Sequence, residues 1–154
     1  KSYAMTGWRL GYGIMPEELV SHVVKLAVNS VSCAATFSQR AGIAALEGPQ
    51  EDVQSMVAEF DRRRRLVVEG LRRIPGVTCP EPEGAFYAFP SIEGTGLSSS
   101  EFEEQAMRDA GVALLAGSAF GEFGEGYIRL SYANSQENIH KALEGLDRFV
   151  RSVI

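Results

Sequence analysis

The sequence predicts a mixed α/β fold, in which a small α+β domain follows helices that belong to the end of a different domain. Three features predict it. Apolar residues recur at helical spacing through the first part of the chain, and short aromatic or β-branched runs between Pro- and Gly-containing turns follow. A last amphipathic helical pattern lies near the end. We place the domain boundary near Gly48, which assigns residues 1–48 to one domain and 49–154 to the other.

The first half of the chain is predicted to be mainly helical. Aromatic, small and glycine residues over 3–15 indicate a loop and a short extended segment, closed by Pro16, which suits the first position of a helix. The apolar residues that follow at helical spacing are Leu19, Val20, Val23, Val24, Leu26 and Ala27. Further helices are predicted over Ser38–Leu46 and Glu51–Arg73, each ending just before a pair of Gly and Pro residues.

The second half is predicted to combine short strands with two helices. The runs that are typical of strands are Val77–Cys79, Ala85–Phe89, Val112–Leu115 and Tyr127–Tyr132. Ser100 and Glu103 match a capping box for a helix that runs to about Ala110. Ser135 is predicted to cap a final helix. The apolar stripe of that helix consists of Ile139, Leu143, Leu146, Phe149 and Val153.

Composition and charge exclude several broad classes of protein. Hydrophobic residues make up 45% of the 154 residues and charged residues 23%, which is typical of a soluble globular protein. No apolar run approaches the roughly 20 residues that span a bilayer. The net charge of -5 argues against broad nucleic-acid binding, although Arg62–Arg65 form a basic run. Because apolar residues recur around that run at helical spacing, we expect it on the solvated face of a helix.

The cysteines and histidines do not form a recognisable site. Cys33 and Cys79 belong to no CxxC or Cys/His metal pattern, so we expect free, buried thiols in a reducing compartment such as the cytoplasm. His22 and His140 lie in predicted helices without a companion at metal-ligand spacing. We therefore predict no metal site.

The first residues carry groups that could hold a cofactor. Lys1 and Arg9 are eight positions apart, with Gly7, Gly11 and Gly13 allowing close backbone approach. A lysine amine can form a Schiff base with an aldehyde, and an arginine can bind a phosphate with paired donors. Spacing alone favours a solvated lysine and a structural arginine. The chain also starts without an initiator methionine, and we expect its natural beginning to lie upstream.

Three motifs resemble one enzyme family. Residues 1–12, KSYAMTGWRLGY, closely resemble the cofactor-lysine signature of the fold-type I aminotransferases, particularly the bacterial-type aspartate aminotransferase subgroup. Residues 83–90, EGAFYAFP, and 126–133, GYIRLSYA, are similar to the small-domain strand and the substrate-arginine strand of that family. The motifs occur in the family's order and span most of the chain. One departure is Ala116, where the family usually has proline.

The resemblance implies a fold, a cofactor and three site residues. Residues 1–48 would be the C-terminal remnant of the large pyridoxal-phosphate-binding domain, and 49–154 the small C-terminal domain. Lys1 would hold the aldehyde of pyridoxal 5'-phosphate and carry a proton from the substrate's α-carbon, while Arg9 would hold the cofactor phosphate. Arg129 would pair with the substrate's α-carboxylate.

The resemblance also implies a reaction and a partner. The complete protein would transfer an amino group between an amino acid, which the subgroup resemblance implies to be aspartate, and a 2-oxo acid, as a homodimer. Other cofactor contacts of the family precede the lysine, so we expect this chain alone to be inactive, with exposed apolar surface on residues 1–48. Two alternatives stay open: a carbon–sulfur lyase of the same fold, and a non-catalytic dimerisation or binding module.

Overall fold

The structure is a computed structural model that describes all 154 residues. Its internal contacts divide the chain into two compact units, Lys1–Val57 and Ala58–Ile154. That division falls within a long helix, and the domain boundary near Gly48 stays a prediction. No helix of the structure is both long enough and apolar enough to cross a membrane.

The first unit consists of helices and the irregular segment that precedes them. Helix α1 spans Glu17–Ser30, α2 spans Thr36–Glu47, and α3, Glu51–Leu71, begins here. Pro16 lies directly before α1, one residue outside the first helical position predicted for it, and makes no side-chain cap hydrogen bond. Acidic residues in the first turns of α1 and α3 interact favourably with the positive ends of these helices. The three helices predicted from periodicity are present. The ends of α2 and α3 differ from the predicted ends by at most two residues, and α1 continues to Ser30, beyond its last predicted apolar residue, Ala27.

The second unit packs helices against a small antiparallel sheet. Its remaining elements are β1 (Tyr87–Ala88), α4 (Ser99–Gln105), β2 (Leu115–Ala116), β3 (Ile128–Ser131) and α5 (Gln136–Val153). The strand order is β1-β3-β2, so the last strand lies in the middle of the sheet. Tyr87 pairs with Ser131, and Leu115 pairs with Arg129. The predicted mixture of helices and short strands is confirmed.

One face of the sheet belongs to the hydrophobic core. Ala88, Ala116 and Ile128 are buried there, as expected when alternate side chains of a strand face opposite sides. The other buried apolar side chains of the cluster come from α3, the segments after it, α4 and α5: Val67, Val68, Leu71, Ile74, Val77, Cys79, Ile92, Phe102, Ala106, Leu114, Tyr132, Ile139, Leu146, Phe149 and Val150. Arg129 is on the opposite face of the sheet because it alternates with Ile128.

The predicted strand Val77–Cys79 is wrong. Only Thr78 pairs there, in a single bridge with Ser91. Pro80 directly follows the run, and proline lacks the backbone N–H that a longer ladder requires. The run therefore contributes buried side chains to the core without forming a strand.

The capping box of α4 lies two residues before the predicted pair. Ser98 Oγ accepts a hydrogen bond from the backbone N–H of Glu101 at 3.3 Å, and the Ser98 N–H donates to Glu101 Oε2 at 2.9 Å. Glu103 instead accepts a hydrogen bond from the backbone N–H of Ala116 at 3.0 Å. Both serine–glutamate pairs, Ser98/Glu101 and Ser100/Glu103, fit the motif. Only the first pair forms the cap, while Glu103 binds β2.

The arginine run on α3 is part of a network of ion pairs. Arg62 and Arg65 are largely exposed, as predicted, whereas Arg63 and Arg64 are only about one-fifth exposed. Their acidic partners are Glu59, Asp61 and Glu81. Side chains three and four residues apart on a helix are neighbours, so the acidic residues just before the run neutralise it locally.

Candidate functional site

Two of the three predicted site residues line one cavity. Lys1 and Arg9 lie on a cavity of about 990 Å³ in the first unit, whose wall includes Tyr12 and, from α2, Gln39 and Ile43. Both basic side chains are exposed to solvent. The wall of this cavity therefore carries both a lysine and an arginine, and Arg9 Nη1 donates a hydrogen bond to the Thr6 carbonyl at 3.5 Å.

The segment between these residues is folded into tight turns. The backbone N–H of Ala4 donates to the Lys1 carbonyl at 2.9 Å, and a single 3₁₀ turn spans Thr6–Trp8. Arg9 follows with a φ of 52°, in the left-handed region that non-glycine residues rarely adopt. Such a conformation costs on the order of 1–3 kcal/mol and is frequent where a side chain must be aimed at a ligand.

Helix α2 holds this segment in place. Ser38 is the one buried residue of α2, and its Oγ donates a hydrogen bond to the Trp8 carbonyl at 3.1 Å. The Trp8 and Phe37 rings meet edge to face with centroids 6.2 Å apart. Leu10 packs so closely on Gly42 that a side chain at position 42 would collide with it. These contacts anchor both residues that flank Arg9, and no sequence pattern had identified Ser38.

The donors in the cavity suit the two reactive ends of pyridoxal phosphate. An amine is the group that condenses with an aldehyde, and a guanidinium offers planar, paired N–H donors to a phosphate. Lys1 and Arg9 supply one of each to a single cavity. The residues present therefore fit this cofactor.

Arg129, the third predicted residue, lies on β3 in the second unit. Its side chain is half-buried, and its guanidinium carbon lies over two aromatic rings, 4.5 Å from the Tyr87 centroid and 4.2 Å from the Phe120 centroid. The structure gives this guanidinium no hydrogen bond and no ion pair. Rings that lie over a guanidinium interact with its π face, so its N–H donors stay available to a planar anion.

Sequence reasoning missed the two rings that contact Arg129. Tyr87 belongs to the EGAFYAFP motif, and Phe120 ends a 3₁₀ turn, Gly117–Phe120, that follows β2. Tyr87 pairs with Ser131 and so shares a face with Arg129, but that register comes from the structure and not from a sequence pattern. No local pattern places Phe120 beside the arginine.

The two cysteines differ in exposure. Cys79 is buried as predicted, and burial raises the pKa of its thiol. Cys33 is exposed, so the prediction that it is buried is wrong. It follows α1, a helix that buries none of its own residues, so no core is formed there to cover it. No group of three or more His, Cys, Asp or Glu side chains is placed to hold a metal ion.

Comparisons with known proteins agree on one family. The family model for aminotransferase class I and II matches residues 1–146. An aspartate aminotransferase of Pyrococcus horikoshii is 42% identical over 150 residues, and aromatic-amino-acid aminotransferase 2 of Thermococcus litoralis is 42% identical over 153. These alignments cover 96% and 98% of this chain.

A solved structure gives the same result. The crystal structure of an aromatic aminotransferase from Pyrococcus horikoshii superposes on the whole chain with a TM-score of 0.93 and 41% identity, and the match covers 42% of that structure. The chain likewise spans 38% and 39% of the two relatives' own lengths. A similarity of this extent in both sequence and structure is far beyond a shared fold alone, and the chain therefore belongs to the aminotransferase class I and II family.

Proposed function

We propose that the complete protein containing this chain is a pyridoxal-phosphate-dependent aminotransferase that moves an amino group between an amino acid and a 2-oxo acid. The observation that carries the proposal is the cavity shared by Lys1 and Arg9, since this pair supplies an amine and an anion-binding guanidinium to one space. Membership of the family supports it independently.

Each predicted residue has a role that its surroundings support. Bound pyridoxal phosphate would supply an aldehyde and an electron-accepting ring. Lys1 Nζ would hold the aldehyde, and its neutral amine would accept the proton from the substrate's α-carbon. Arg9 binds the phosphate, supported by the backbone turn that α2 anchors. Arg129 binds the α-carboxylate of the substrate with N–H donors that no protein group uses.

For the substrate pair we propose aspartate and 2-oxoglutarate. The support is the resemblance of three motifs to the aspartate aminotransferase subgroup, together with relatives that carry that name. The Thermococcus litoralis relative is named for aromatic amino acids, so phenylalanine is the comparison substrate. We also propose that the complete protein is a homodimer, as the family resemblance implies.

The proposal is tested on the complete gene product, purified with added pyridoxal phosphate. We expect oxaloacetate to form from aspartate only when 2-oxoglutarate is present, measured with a coupled dehydrogenase. Lys1→Ala should lower kcat by at least about 100-fold, because proton transfer at the α-carbon loses its base. Lys25→Ala is the matched control, since Lys25 is an exposed lysine of α1 outside the cavity.

Cofactor retention tests the role of Arg9. Arg9→Gln should weaken binding of pyridoxal phosphate, measured by titration of the absorbance of the bound cofactor, because the phosphate loses a charged, paired donor. Arg40→Gln, which removes an exposed arginine of α2, should not. Oxo-acid-independent release of pyruvate from a sulfur amino acid would favour the lyase instead. Absence of any cofactor binding by the complete protein would favour the non-catalytic module.

A further inference from the structure

Arg129 is held by contacts that differ from those of an ordinary buried arginine. A half-buried guanidinium is usually satisfied by a carboxylate or by carbonyl oxygens, since its charge is costly to desolvate. Here the contacts are with the faces of Tyr87 and Phe120, at 4.5 and 4.2 Å. Such cation–π contacts orient a guanidinium without occupying its N–H donors.

The two rings are supplied by separate elements on either side of the central strand. Tyr87 lies on β1, and Phe120 follows β2, while Arg129 is on β3 between them. Arg129 therefore has one ring from the β1 side of its strand and one ring from the β2 side. A displacement of either edge element would change the position of the guanidinium.

The Phe120 ring is itself oriented by a chain of aromatic contacts. Phe89 meets Phe120 edge to face with centroids 6.1 Å apart, and Phe89 stacks on Tyr127 at 5.5 Å with an angle of 10° between the ring planes. The loop that carries Phe120 is closed by a backbone contact of Gly117 with Gly124, where a side chain on either glycine would collide. Phe120 therefore has a defined place although its side chain is about half exposed.

We propose that Tyr87 and Phe120 are positioning residues that hold the guanidinium of Arg129 so that its N–H donors meet the substrate's carboxylate. This inference rests on the proposed carboxylate-binding role of Arg129. It adds that the orientation is set by two rings, and that the binding of the amino acid and of the 2-oxo acid depends on both of them.

Substitution of each ring in the complete gene product tests the inference. Phe120→Met and Tyr87→Met keep an apolar side chain of similar length but remove the ring face. We expect KM for the amino acid and for the 2-oxo acid to rise about fivefold in each variant, as for loss of one cation–π contact, with kcat within about twofold. Phe120→Tyr keeps an aromatic ring at this position, so its KM should stay at the value of the unchanged protein.

Phe123→Met is the matched control. Phe123 lies in the next 3₁₀ turn, Glu122–Gly124, is 90% exposed and is not one of the two rings over Arg129, so its replacement should leave KM unchanged. The Ki of maleate, a dicarboxylate that does not react, should rise with KM in the ring variants only. Melting temperatures report the fold, and a variant at half-exposed Phe120 that no longer folds would show a structural role and overturn the inference.

Arg129→Lys separates the inference from the function on which it depends. If KM rises in Arg129→Lys but Phe120→Met and Tyr87→Met behave as Phe123→Met does, the rings do not position the arginine and only the inference is overturned. If Arg129→Lys leaves KM unchanged, Arg129 does not bind the carboxylate. In that case its proposed role and the positioning role are both overturned.

Discussion

At the scale of single residues, Glu59 shows how one carboxylate connects distant parts of the second unit. It accepts hydrogen bonds from Gln136 Nε2 at 3.2 Å, from Arg63 Nε at 2.7 Å and from Arg62 Nε at 2.9 Å. These bonds, that of Gln136 first, lower its pKa from the ordinary 4.5 to about 2. Gln136 is the first residue of α5, so the carboxylate links α3 to the start of the last helix.

The lowered pKa of Glu59 predicts a specific dependence of stability on pH. Because the folded-state pKa lies below the unfolded one, ionised Glu59 stabilises the fold above pH 4.5, and this contribution is lost as pH falls toward about 2. Glu59→Gln should therefore lower the urea midpoint at pH 7 and reduce the difference between the midpoints at pH 7 and pH 3. Glu69→Gln, at an exposed position of α3, is the control. Equal pH dependence in both variants would contradict the prediction.

At the scale of elements, α4 depends on a short capping interaction. Its α-helical part, Ser99–Gln105, continues as a single π-helical turn over Ala106–Ala110, and its first turn needs partners for its free N–H groups. Ser98 and Glu101 provide a reciprocal pair of hydrogen bonds there. The Ser98 hydroxyl, which donates to Glu101 Oε2 at 2.6 Å, and then the Ser98 N–H lower the pKa of Glu101, which keeps the carboxylate ionised as an acceptor.

Removal of the capping hydroxyl should destabilise the second unit measurably. We expect Ser98→Ala to lower the free energy of unfolding by about 1 kcal/mol, because the N–H of Glu101 loses its acceptor. Ser100→Ala replaces the exposed serine of the other matching motif and should change stability by less than about 0.5 kcal/mol. Urea unfolding followed by circular dichroism measures both. A larger loss of stability for Ser100→Ala than for Ser98→Ala would show that Ser100 is the cap, and would contradict the prediction.

At the scale of the whole molecule, the two units differ in how much apolar surface they bury. The hydrophobic core cluster lies entirely within residues 67–150. In residues 1–48, exposed large apolar side chains are frequent, as predicted: Trp8, Tyr12, Ile14, Leu19, Val20, Val23, Val24, Leu26, Val28, Val31, Phe37, Ile43 and Leu46. Because burial of apolar surface is the main source of stability, the first unit has little stability of its own.

This difference predicts unequal protection from hydrogen exchange in the 154-residue chain. Amides of α5, which buries Ile139, Leu146, Phe149 and Val150, should exchange slowly. Amides of α1, which buries no residue, should exchange at least about 100-fold faster, since its opening exposes no core. Exchange measured by mass spectrometry on peptides from both helices decides this, with sedimentation to verify that the sample is monomeric. Equal protection in a monomer would contradict the prediction.

The sequence by itself determined those features that depend on neighbours along the chain. Apolar spacing located α1, α2, α3 and α5, because a helix is built from contacts three and four residues apart. The N-cap at Ser135 was predicted and is confirmed, with Ser135 Oγ accepting from the N–H of Asn138 at 3.2 Å. The motifs around Lys1 and Arg129 indicated the family, to which the chain belongs.

Only the tertiary structure decided the features that depend on residues far apart in the chain. Two-residue strands have too little pattern to be located from sequence, so the pairing of Leu115 with Arg129 could not be predicted. Of the two matching capping motifs, Ser98 and Glu101 form the cap, while Glu103 binds the backbone N–H of Ala116 in β2. The rings of Tyr87 and Phe120 reach Arg129 from separate elements. Local propensity cannot specify such contacts, because they form only when the sheet and its loops pack together.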